Sequence, residues 1–100
     1  MMRLEFHSQA REEFLSAVSR YEAEVPGLGA RFIAEFERCI GLLLEAPQIG
    51  SPMSRKLRRF VLNDNFPFSI VYAIQSDTLF VIAVVHSSRR PGYWKRRAAR

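Results

Sequence analysis

The sequence is poor in residues that build covalent or metal-held frameworks. Cys39 is its one cysteine, so no internal disulfide can form, which fits a reducing compartment. Its two histidines, His7 and His86, lie far apart, and with one cysteine they leave almost no ligand set for zinc. Neither a metal nor a small-molecule cofactor is expected. The five glycines are scattered and form no phosphate-binding loop. Residues 66–76 form the longest uncharged run near the C-terminus and are too short to span a bilayer. Arg3, Glu5, Glu12 and Glu13 interrupt any leader-like apolar stretch at the start. These absences lead us to expect a soluble, cytoplasmic protein with no membrane partner.

Acidic residues are scarce in one half only. Residues 51–100 hold ten basic residues against Asp64 and Asp77, a net +8, while residues 1–50 hold five arginines against eight glutamates, a net −3. A positive half suits an anionic partner: nucleic acid, an acidic protein segment or a membrane surface.

What is present is a globular balance, 48% hydrophobic and 25% charged over 100 residues. That size gives one domain, residues 1–100, with one core. It cannot enclose a large cofactor, so chemistry is expected on an open face or shallow groove.

Residues 2–6 alternate weakly and read as an edge strand. Ser8 is a candidate helix N-cap, followed by an amphipathic helix over residues 9–24 with Glu12 and Glu13 complementing its dipole. Pro26-Gly27 breaks it. Leu28, Phe32, Phe36, Cys39, Ile40, Leu43 and Leu44 form a second helical stripe that Pro47 stops, giving a helical hairpin. Residues 47–53 read as a loop, 58–62 as a strand and 63–65 as a turn. Residues 68–75 and 78–85 are β-branched and aromatic on both faces, a central pair joined tightly at Ser76-Asp77. Residues 86–100 form a basic, polar tail. The predicted fold class is α+β: an N-terminal strand, then an antiparallel helical hairpin packed on a mostly antiparallel sheet, in the order β-α-α-β-β-β.

Two basic clusters stand out. One is residues 55–59, with Lys56, Arg58 and Arg59. The other holds Arg89 and Arg90, then Lys95, Arg96 and Arg97, with Tyr93 and Trp94 between them. Arginine forks bind phosphate and aromatic rings stack on bases, so these residues are candidates for nucleic-acid binding. The same pattern equally fits solvated strand ends and a tail with Trp94 folded back over the sheet. His86 ends the last strand in phase with Phe80, Ile82 and Val84, three residues before Arg89 and seven before Tyr93. A histidine, an arginine and a tyrosine at a sheet edge form a candidate metal-independent ribonuclease site, His86 and Tyr93 moving protons while Arg89 offsets charge on phosphorus. A lone histidine ending a strand is also an ordinary hydrogen-bonding anchor. Cys39 reads as a buried small hydrophobe, and His7 as a local packing or capping residue.

The run "FPFSIVYAIQSDTLFVIAVVHSSRRPGYWKRR" resembles the RelE/ParE superfamily, the toxins of bacterial type II toxin–antitoxin modules. "FHSQAREEF", "GLGARFIAEFERCIGLLLEAP" and "RKLRRFVL" are similar too, so the resemblance covers nearly the whole chain. It implies a growth-inhibiting toxin with a cognate antitoxin as partner, usually through an acidic, partly disordered antitoxin segment. RelE-like members enter the ribosome and cut mRNA; ParE-like members poison DNA gyrase. The resemblance places Arg89 and Tyr93 on active-site positions of the ribonucleases and His86 near one. It also sets Lys56, Arg58 or Arg59 near a phosphate-contacting segment. In the third strand Ser69 stands where those ribonucleases commonly have an arginine, a departure that shifts weight toward the gyrase route. A third reading is an inactive toxin homologue that only binds antitoxin.

Overall fold

The computed structural model describes residues 2–63 and 65–98. Its elements run β1 (Arg3–Phe6), α1 (Ser8–Glu24), α2 (Leu28–Glu45), β2 (Ser51–Pro52), β3 (Leu57–Val61), β4 (Phe68–Gln75), β5 (Thr78–His86) and a short 3-10 helix, Lys95–Ala98. The strands form one sheet in the order β1-β5-β4-β3-β2. Only β1 runs parallel to its neighbour, so the sheet is mostly antiparallel and the fold is the expected α+β hairpin-on-sheet. The turn expected at residues 63–65 includes Asp64, which lies outside the described residues.

Local chemistry moves several boundaries. The α1 cap is His7, whose Nδ1 accepts the Gln9 amide at 3.1 Å, and Ser8 is the first helical residue rather than the cap. The loop over residues 47–53 contains the two-residue strand β2, paired to Arg58 and Arg59. Between the helices Gly27 takes φ +90°, a left-handed conformation that a side chain would strain. The Glu22 carboxylate of α1 then accepts the amides of Gly27 and Gly29 at 2.9–3.1 Å, so one helix caps the start of the other.

The helices cover one sheet face. Phe32, Phe36, Cys39 and Leu43 of α2 and Ala10 and Ala17 of α1 bury against Phe68, Ile70 and Tyr72 of β4 and Leu79, Val81 and Val84 of β5. The other face carries Leu57, Val71, Ala73, Ile82, Ala83 and Val85, and Trp94 from the C-terminal segment packs over it. Both faces of the central pair are therefore buried, as their continuous apolar runs predict.

Glu35 ties α2 to the β3–β4 connection. Its carboxylate accepts a bidentate pair from Arg38 at 2.8 and 2.9 Å, the Cys39 thiol at 3.5 Å and the Asn63 amide at 3.0 Å. The Arg38 hydrogen bonds, helped by the Asn63 amide, hold its carboxyl down at about 2, while burial pushes the Cys39 thiol up to about 11. Because the folded value is depressed, Glu35 contributes its stability fully above its ordinary value of 4.5 and loses it as the pH falls toward 2. Glu35→Gln is expected to cost about 1–2 kcal/mol at neutral pH. Thermal midpoints of the two proteins should converge across that acid window, and a constant gap would exclude the linkage.

Candidate functional site

The site is built where β5 outruns its neighbour. β1 pairs with β5 only as far as Phe6↔Val81, after which the chain turns into α1 and the His7 amide donates to the Val81 carbonyl at 2.9 Å. Against β4, Tyr72 faces Val81 and Val71 faces Ala83, so Ile82 is an extra residue, a β-bulge. Ile82 and Ala83 both lie on the far face, and the alternation resumes one step out of phase. His86 consequently shares the helix-side face with Val84 and sets its ring edge on Phe68, centroids 5.0 Å apart. This corrects the expected alignment of His86 with Phe80 and Ile82, which the bulge turns to the opposite face.

Past the end of β1, backbone groups of β5 have no strand partner on that side, and side chains complete them. The Glu13 carboxylate, from the second turn of α1, accepts the Val84 amide at 2.9 Å. Arg97 donates to the Ile82 carbonyl at 3.1 Å. The two meet in a bidentate pair, both bonds 3.0 Å, with side chains only 16% and 11% exposed. The Tyr93 hydroxyl donates to the same carboxylate at 2.8 Å. Burial first, and Glu13 second, push the Tyr93 phenol up to about 12. Glu13 is thus not a helix-dipole charge but the hub of this cluster.

Of the expected catalytic trio, Arg89 meets the Tyr93 ring and shares a groove with His86, which lies on the helix-side face. Arg89 is exposed, with its guanidinium 4.2 Å from the Tyr93 ring centroid, and Arg97 is 5.2 Å from the same ring. His86 Nδ1 accepts the Ser88 amide at 3.0 Å and lies 2.8 Å from the Ser88 hydroxyl, leaving Nε2 as its outward nitrogen. An open groove of about 360 Å³ runs between α1 and this corner, bordered by Gln9, Ser16, Arg20, His86, Ser88 and Arg89.

The basic residues divide into free and committed. Lys56, Arg59, Arg90, Lys95 and Arg96 are exposed. Arg58 instead donates to the Gln48 and Gly50 carbonyls at 3.0 and 2.7 Å, clamping the β2 loop to the sheet. Arg97 is held by Glu13, and Trp94, 5% exposed, is folded back over the sheet with no face left for a base. Ser69 lies on β4 opposite Val61 and Val85, away from the Glu13 cluster on the β1 side of β5. Sequence alone singles out Tyr93 and Arg97 but not Glu13, which lies 71 to 84 residues from its partners. Among the described residues no group of three or more His, Cys, Asp or Glu side chains is placed to hold a metal, and no helix is long and apolar enough to cross a membrane.

The helical hairpin packed on one face of a mixed sheet is a fold that this chain shares with a solved structure. That structure, titled "Chromosomal ParDE TA system from P. aeruginosa", superposes with a TM-score of 0.72 at 14% identity, covering 86% of this chain and 96% of that one. Residues 4–91 match the family described as the ParE toxin of the type II toxin–antitoxin system parDE, and the chain belongs to that family. No curated protein matches the sequence.

Proposed function

We propose that the protein is a growth-inhibiting toxin that acts by binding its target, DNA gyrase, and not by cutting RNA, and that a cognate antitoxin neutralises it. The observation that carries the reading is the commitment of Tyr93. A proton-transfer partner works best with a pKa near the operating pH. The Tyr93 phenol is pushed up to about 12, so it keeps its proton, and that O–H is already committed to a hydrogen bond with Glu13. Ser69, in place of the arginine common in the ribonuclease branch, supports the same side. His86, Arg89 and Tyr93 then serve as a shaped contact surface, with exposed Arg89 as its charged tip. Lys56, Arg59, Arg90, Lys95 and Arg96 provide the positive field for target or antitoxin.

The test pairs two assays. Induced wild-type protein should arrest growth, block gyrase supercoiling when purified, and generate no new mRNA ends. Arg89→Ala should weaken the gyrase effect at least tenfold, about 1.4 kcal/mol of binding. New mRNA ends that vanish in Arg89→Ala would instead establish the ribonuclease. Co-expression of a cognate antitoxin should restore growth, and the complex should loosen with salt because exposed charges are screened.

A further inference from the structure

We infer that Glu13 is a positioning residue for the toxin surface: its carboxylate holds the C-terminal strap, residues 93–97, and through Tyr93 sets the place of Arg89. This deepens the function proposed above and rests on it. The strap crosses the far face of the sheet with Trp94 buried there, then returns to the β5 edge through Arg97. At that edge the chain has no strand to pair with. Glu13 supplies the missing acceptor, Arg97 the missing donor, and each closes on the other, so the pair stands in for the next stretch of β1.

Four hydrogen bonds converge on the two carboxylate oxygens: one from Val84, one from Tyr93 and two from Arg97. That satisfies the carboxylate in a largely buried site, and the opposite charge of Arg97 balances it. Removing the charge leaves Arg97 without a counterion and the Val84 amide and Ile82 carbonyl exposed to solvent competition. Tyr93 and the Val84 amide are left to share one neutral carbonyl oxygen where each had its own carboxylate oxygen. The Tyr93 ring lies under Arg89, so the guanidinium loses a fixed base to stand on. Glu13 touches no target itself; it acts through Tyr93 and Arg97.

The chain carries its own reporter, because Trp94 is its only tryptophan. Glu13→Gln keeps the side-chain length and one carbonyl oxygen while removing the charge. In that variant acrylamide quenching of Trp94 should rise severalfold and exchange protection of the Val84 amide should fall at least tenfold. The Arg89 Nε–H resonance should lose the shift imposed by the Tyr93 ring, with helical circular dichroism unchanged. Growth inhibition should fall at least tenfold in an inducer titration. Arg97→Gln and Tyr93→Phe give the same comparison if Glu13→Gln does not fold. A Trp94 that stays shielded, or an unchanged Arg89 resonance, would overturn the inference. So would full growth inhibition from a variant whose strap has opened. A wild-type chain that never arrests growth would overturn the toxin reading instead, while the Trp94 and Val84 signals would still report whether Glu13 holds the strap.

Discussion

Replacing Phe32 with alanine is expected to remove about 3–5 kcal/mol of folding stability, the range for deleting a buried aromatic ring. Phe32 is wholly buried on α2 and is the centre of the aromatic cluster under the helices. Its ring lies 5.2 Å from those of Phe66 and Phe68, 5.3 Å from Tyr21, 5.8 Å from Phe14 and 6.4 Å from Phe36. These neighbours come from both helices, β4 and the turn before it. None can move into the vacated space without leaving another partner, so the cavity persists and the lost contacts add to the lost transfer energy. A domain of this size shifts by about 4–8 °C per kcal/mol, so the midpoint should fall by roughly 12–40 °C. Denaturant titration of wild type, Phe32→Leu and Phe32→Ala checks it. A loss below about 1 kcal/mol for the alanine variant would mean that the cluster collapses around the gap.

The same cluster explains how much of the fold is legible in the sequence. The stripe Leu28, Phe32, Phe36, Cys39, Leu43 has helical period, and the runs ending at Gln75 and beginning at Thr78 are β-branched on both faces. Each pattern admits one packing: helices on one side of a central strand pair. The parts that escape have no local signature. The bulge falls on Ile82-Ala83, two apolar residues with no glycine or proline to announce it, yet it decides which way His86 faces. Glu13 looks like any acid near a helix start. His7 caps α1 because an imidazole nitrogen accepts an amide as a serine oxygen does, and preference tables favour the serine beside it.

The charge pattern also acquires a physical place. The helical layer carries four arginines against seven glutamates, and the sheet with its strap carries the positive excess. The division read along the chain is therefore a division between two layers. Not all of the positive layer faces outward, however. Arg97 neutralises Glu13, and Arg58 is turned onto loop carbonyls. The clusters at residues 55–59 and 89–97 thus contribute fewer free cations than they contain, and mutating those two arginines tests folding before it tests binding.

That distinction leads to Gly50, where alanine is expected to cost about 2–3 kcal/mol despite adding one methyl group. Gly50 is buried beneath Tyr72, whose hydroxyl accepts the Gly50 amide at 3.0 Å and donates to the Pro47 carbonyl at 2.7 Å. A Cβ at position 50 would collide with that hydroxyl and stand 2.8 and 2.9 Å from Cε1 and Cζ of the ring. Tyr72 is fully buried in the middle of β4, so its ring cannot swing away; the loop must lift instead. Lifting it breaks both tyrosine hydrogen bonds and withdraws the Gly50 carbonyl from Arg58. Tyr72→Phe removes the hydroxyl without the collision and should cost less, about 1–2 kcal/mol, by leaving the Gly50 amide and Pro47 carbonyl unpaired. In the double variant Tyr72→Phe/Gly50→Ala the collision with oxygen is gone, so the two losses should sum to more than the double costs. Thermal or denaturant unfolding of the four proteins measures that coupling. Simple additivity would mean that the methyl group at position 50 and the Tyr72 hydroxyl act on the loop independently, without the predicted collision.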